Sequence, residues 1–331
     1  MRGLALRMLS LLMAAIWLCA SAGWAQVYRL ADLNTEQIRA LNPAKTVVII
    51  PGGILEEHGP YLPSYSDGFF AEAYSRELAN AIVARPGWTV LMFPEIPLGV
   101  GGANSIGGKD IFPGSYNVRL STLLAVYMDL ASMLGEQGFR WIFVVFMHDG
   151  PENHLALEQA SDYFHDVYGG NMVHLYDLKP VHDCCDTAQR ILTPEQLREN
   201  GFTVHGGIGE HAEMLFLRPD LVSPAIHNAP SVTAKDFPDL VRLAHQSNRP
   251  GYWGAPRYAS SALGAASFHN ISDNMNRLAL QILEGLDWRK IPRFSDEQVS
   301  QIRSAGGSLG SEYDRKREQQ ETDWLKSRSL R

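Results

Sequence analysis

The chain has 331 residues, 45% hydrophobic and 20% charged, and its 29 Lys+Arg against 36 Asp+Glu give a net charge of −7. This composition excludes a disordered, collagen-like or coiled-coil protein, and the acidic balance argues against general nucleic-acid binding, which needs basic surface to displace counterions. Three cysteines are too few for a disulfide scaffold or a zinc site of four thiolates.

The N-terminus reads as an export signal. Arg2 and Arg7 precede the apolar run Met8 to Ala20, and Gly23-Trp24-Ala25 offers small residues at −3 and −1 of a cut before Gln26. The run is shorter than the roughly 20 residues of a spanning helix, and Leu18 before Cys19 argues against lipidation. A signal peptide over 1–25, a periplasmic or secreted product, and no membrane partner after cleavage are the expectations. The other two cysteines, Cys184 and Cys185, are adjacent. They read as two thiols near a loop or, in an oxidising compartment, as a strained vicinal disulfide.

Beyond the leader, short apolar runs alternate with helical patterns. Thr46 to Ile50 is β-branched on both faces and ends at Pro51-Gly52-Gly53, as expected of a strand covered on both sides. Phe69 to Val83 reads as a helix and Trp88 to Phe93 as a second strand. Leu120, Leu123, Leu124, Tyr127, Leu130, Ala131 and Leu134 recur at spacings of three and four, an amphipathic helix. Trp141 to Met147 is a third strand, Asn153 to Tyr168 a helix and Met172 to Tyr176 a fourth strand. The rhythm predicts an α/β domain over 26–290, with a mainly parallel sheet flanked by helices. Pro224 to Gly254 reads as loop plus a short helix, and Leu278 to Leu286 as a last amphipathic helix. The polar segment over 291–331 reads as an extension outside the core.

Nucleotide chemistry has no support, because no glycine-rich phosphate loop follows a strand. Gly306-Gly307-Ser308-Leu309-Gly310 matches a nucleophile elbow in letters, but polar residues precede it where a buried strand is required. The candidate chemistry lies at strand ends, where ligand sites of parallel sheets form. Glu56 and His58 follow the first strand two residues apart, so in extended chain their side chains point the same way. Asp67 follows the stiff Pro60–Pro63 loop, and His148 follows the third strand. Carboxylates mixed with imidazoles suit zinc, manganese or iron. Each residue taken alone also fits a hydrogen-bonding or capping role. Tyr61, Tyr176 and Trp253 are candidates either to line a pocket or to pack in the core.

Glu56-x-His58-Gly59-Pro60-x-Leu62-Pro63, followed by Asp67, resembles the signature of the creatininase (creatinine amidohydrolase) family. Three further segments agree in order: Phe112-Pro113-Gly114-Ser115; Gly138-Phe139-Arg140 with the strand running to His148; and His205 to Leu215. The resemblance implies two divalent metal ions per chain, bridged by Asp67. Glu56 and His148 complete one site, and His58 with Glu210 the other. Glu152, in a loop after His148 that carries two extra residues, is the alternative to Glu210 and a candidate for contact with substrate. His205 is the implied acid/base, or else a hydrogen-bond partner that holds Glu210. The implied activity is hydrolysis of a C–N bond in a small cyclic amide by a homo-oligomer, a hexamer in the family. Departures from the family pattern at Phe146-Met147 and His211-Ala212 fit an alternative, an exported protein that binds metal or ligand without catalysis.

Overall fold

The computed structural model describes residues 26–182, 187–296, 299–300 and 312–328. The leader over 1–25, Cys184, Cys185 and the Gly306–Gly310 segment lie outside these residues.

Among the described residues, five strands form one wholly parallel sheet in the order β1-β3-β2-β4-β5. They are β1 (Val27–Arg29), β2 (Thr46–Gly52), β3 (Thr89–Met92), β4 (Trp141–Phe146) and β5 (Asn171–His174). Six longer helices accompany them: α1 (Ser66–Val83), α2 (Leu120–Glu136), α3 (Pro151–Tyr168), α4 (Ile208–Leu217), α5 (Ser261–Leu283) and α6 (Glu312–Ser327). Every residue of β2 is buried. Val47 and Ile49 join Phe143, Val145 and Val173 in a core beneath α1, α4 and α5. Val48 and Ile50 join Ile142, Val144 and Phe146 beneath α2 and α3. Two apolar faces on one sheet require helices on both sides, which is the physical reason for three layers.

Register carries the chemistry to one edge. Gly52 pairs with Phe146 and Val144 with His174, so β2, β4 and β5 end close together. The segments that follow all emerge there.

Element boundaries differ from the sequence expectation in ways that matter. Helix α1 begins at Ser66, so Asp67 stands in its first turn rather than in the preceding loop. Helix α3 begins at Pro151, which suits a first helical position because its missing N–H would have no partner there. Glu152 is therefore on the first turn of a helix and not in a lengthened loop. The last core helix is 23 residues long, and the expected Leu278–Leu286 segment covers only its end. The edge strand β1 was not foreseen. It is three residues long and mostly exposed, too short to show a period. The start of the polar C-terminal segment packs into the domain: Ser295 is buried and donates from its N–H and Oγ to Asp177, each at 2.9 Å.

Candidate metal centre

The segment after β2 divides its side chains by alternation. Glu56 and His58 turn inward, whereas Glu57 turns towards Arg249, 3.3 Å away in a buried ion pair. Ser115 Oγ accepts from the Glu57 N–H, and the Gly59 N–H donates to Glu57 Oε2. The Phe112 ring lies under the Arg249 guanidinium. The Phe112–Ser115 segment thus braces the backbone that carries Glu56 and His58. Arg249 was not foreseen. A lone arginine in a loop rich in Pro, Asn and His gives no signal in sequence.

Asp67 joins the two halves of the cluster. Its Oδ1 is 3.2 Å from His58 Nε2, and its Oδ2 is 3.5 Å from His148 Nδ1. His148 Nδ1 is also 3.2 Å from Glu56 Oε2, and Glu210 Oε2 is 3.9 Å from His58 Nε2. Glu56, His58, Asp67 and His148 are all at most 9% exposed. Glu210 is the open member, with its side chain 34% exposed. Gly53 makes this meeting possible. A Cβ on Gly53 would stand 2.5 Å from the Gly68 N and 2.7 Å from the Asp67 carbonyl carbon, so any side chain would push the start of α1 away.

The outer atoms of these side chains are already anchored. His58 Nδ1 donates to Glu56 O at 3.0 Å, and His148 Nε2 to Val100 O at 3.2 Å. Glu56 Oε1 accepts from the Ala103 N–H and Glu210 Oε2 from the Gly206 N–H. Inside the cluster, Glu56 Oε2, His58 Nε2 and Asp67 Oδ2 are buried without a hydrogen-bond partner. Buried polar atoms left unpaired are costly. Imidazoles with one nitrogen tied to an acceptor and the other aimed at carboxylates are what divalent cations require. The donor set therefore fits metal ions, and Glu56, Asp67 and His148 form one such group among the described residues.

Electrostatics agree. Burial opposes charge on Glu56, but His205, His148 and His58 together hold its carboxyl well below the usual range. Burial likewise opposes charge on His58, yet Asp67, with Glu210 and Glu56 behind it, raises its pKa to about 10. Such a cluster strongly favours a positive charge at its centre.

His205 adjoins the cluster. Its Nε2 donates to Glu57 O, which leaves Nδ1 facing Glu56 Oε2 at 3.7 Å. Its ring lies 4.4 Å from that of His58 and edge-on to Trp253. Glu56, His58 and His205 form another such group among the described residues, and Glu152, like Glu210, belongs to none of these groups. Glu152 lines a neighbouring cavity of about 520 Å³ with Gly101, Phe112, Tyr116 and, from α6, Tyr313 and Arg317. Tyr61 packs near His211 and Tyr252, and Tyr176 against His182. His211 is buried and donates to Gly207 O, and burial pushes it down to about 4, so it is neutral.

The sequence matches the family model described as creatininase, creatinine amidohydrolase, over residues 31–279. The chain belongs to the creatininase family. It is 28% identical over 183 residues to the creatinine amidohydrolase of Pseudomonas putida, a match that covers 53% of this chain and 66% of that enzyme, just under two thirds of its length. Among solved structures, a creatinine amidohydrolase superposes with a TM-score of 0.58 at 23% identity, covering 76% of this chain and 96% of that one. A creatininase with Mn gives 0.57 at 21% identity, with the same coverage. A creatininase variant of Zn-Zn type gives 0.58 at 21% identity, again with that coverage. These likenesses show the shared fold. Helix α6 lies beyond the matched residues.

Proposed function

We propose that this chain is an exported, metal-dependent amidohydrolase that cleaves the C–N bond of a small cyclic amide. The observation that carries the reading is Asp67, whose two oxygens face two different imidazoles among orphaned, buried polar atoms. Family membership and the likeness to a curated creatinine amidohydrolase support the amide substrate class. Glu56, His148 and Asp67 would hold one ion, and His58, Asp67 and Glu210 the other. Two bound divalent ions supply a water of lowered pKa and a Lewis acid for the carbonyl.

The chain's own residues do the rest. Glu57, braced by Arg249 and Ser115, fixes His205 through its carbonyl oxygen. With Nε2 thereby committed, His205 is left to hold a proton at Nδ1 and release it to a departing nitrogen. Trp253, 2% exposed, keeps water from the far side of that ring. Glu210, on the open side, faces the approach of substrate.

The test is hydrolysis of a panel of cyclic amides, creatinine included, by chelator-stripped protein before and after reloading with zinc or manganese. Turnover that appears only on reloading supports the proposal. Protein that regains its ions and still turns over none of the panel favours the binding-protein alternative, in line with the unusual His211-Ala212 and Phe146-Met147.

A further inference from the structure

A second group of metal-ligating side chains lies one strand further along the sheet edge. His174 ends β5, Asp177 lies in the turn that follows, and His154 projects from the first turn of α3. All three are buried, at 0% to 5% exposure. His154 Nδ1 is 3.4 Å from His174 Nδ1 and 3.5 Å from Asp177 Oδ1. Donors about 2.0–2.2 Å from a tetrahedral zinc ion stand roughly 3.3–3.6 Å from one another. The spacing is that of a coordination sphere.

Proton positions sharpen the case. His174 Nε2 is 3.1 Å from Phe146 O, an acceptor only, so Nε2 carries the hydrogen and Nδ1 presents a lone pair. His154 Nε2 lies 3.3 Å from Asp149 Oδ1, and neither atom has another hydrogen-bond partner. If neutral His154 carries its proton on Nε2, then Nδ1 of His154, Nδ1 of His174 and the Asp177 carboxylate converge with nothing positive between them. If it carries the proton on Nδ1, a lone pair faces the Asp149 carboxylate instead. Either tautomer leaves acceptor against acceptor. A divalent cation at the convergence point removes both conflicts and balances the charges of Asp149 and Asp177. It also gives each imidazole the outer anchor typical of a metal ligand: a backbone carbonyl for His174 and a carboxylate for His154.

We propose that His154, His174 and Asp177 form a third metal site, separate from the cluster around Asp67 and suited to zinc. Its role is structural. It ties β5, the turn after it and the start of α3 together, and through Asp149 it steadies the residue next to His148. Asp177 also accepts from Ser295, so the site links the C-terminal segment to the sheet edge.

The test is zinc uptake by the purified, chelator-stripped full chain, measured by elemental analysis after dialysis. A His58→Ala/Asp67→Ala double variant, disabled in the main cluster, should retain one equivalent of zinc per chain. Adding His174→Gln or, more conservatively, Asp177→Asn should remove that equivalent. In the otherwise native chain, His174→Gln alone should lower the content by one. The proposal is overturned if the double variant keeps native circular dichroism but takes up no zinc. It is equally overturned if uptake is the same with and without His174→Gln. A zinc-soaked crystal with no anomalous peak between His154, His174 and Asp177 would assign the geometry to a doubly protonated His154 instead.

Discussion

Asp67 is the residue on which the cluster depends, because each of its oxygens faces a different imidazole. Asp67→Ala should release two ions per chain and lower turnover by about a thousandfold or more, read by elemental analysis and steady-state kinetics together. Glu210 and Glu152 make a sharper pair. Glu210 lies beside His58, whereas Glu152 lines the adjoining cavity. Glu210→Gln should therefore cost one ion, and Glu152→Gln none, with its effect confined to KM. The opposite result would transfer the ligand role to Glu152. Glu213, one helical turn beyond Glu210, gives a pH signature. It is buried and accepts from Tyr74 and Ser267, and burial raises its carboxyl to about 7 from 4.5. Between these values the folded chain holds a proton that the unfolded chain has released, so stability falls as pH rises from 4.5 through 7. The loss is on the order of 2–3 kcal/mol. Urea denaturation at pH 5 and pH 8 should show this fall in the native chain and a much smaller one in Glu213→Gln.

At the scale of elements, close backbone approach sets the site. Gly264 in α5 packs on the α4 backbone, and a Cβ there would overlap the carbonyl of Ala212. Backbone cannot yield as a flexible side chain can, so Gly264→Ala should destabilise by about 1–3 kcal/mol and tilt the helix that carries Glu210. Thermal melts and zinc content would both register it. Helix α5 also shows why part of the fold was hard to read. Its buried residues Leu263, Phe268, Ile271, Met275, Leu278 and Ile282 keep helical spacing, but Ser, Asn, Asp and His between them dilute the pattern until its last turns. The strands β2 and β4 were legible because burial on both faces demands an unbroken apolar run. Glu152 was misread as a loop residue because the extra residues after His148 lengthen the helix start rather than the loop.

For the whole molecule, α6 is the feature outside the family match that touches the cavity. Arg119 pairs with Glu321, Arg317 reaches Asn117 O, and Tyr313, Asp314 and Arg317 form part of the cavity wall. Ion pairs of this exposure contribute about 0–1 kcal/mol each. Removal of residues 301–331 should therefore leave the melting temperature nearly unchanged while altering KM and substrate range, as compared across the amide panel. The export proposal has its own check: N-terminal sequencing of secreted material should begin near Gln26, and an intact Met1 in a cytosolic fraction would refute it.

The sequence by itself determined the layered α/β plan, since runs apolar on both faces admit only a parallel sheet covered by helices. It also brought forward Glu56, His58, Asp67 and His148, because strand ends are local properties, while His205 and Glu210 came from the family resemblance. Tertiary structure decided what those residues meet. The two-sided placement of Asp67 depends on a helix start lodged against Gly53. The anchoring of His205 depends on Arg249, 44 positions further along the chain. The grouping of His154, His174 and Asp177 depends on the register between β4 and β5. Contacts between residues so far apart are set by packing, which no local pattern encodes.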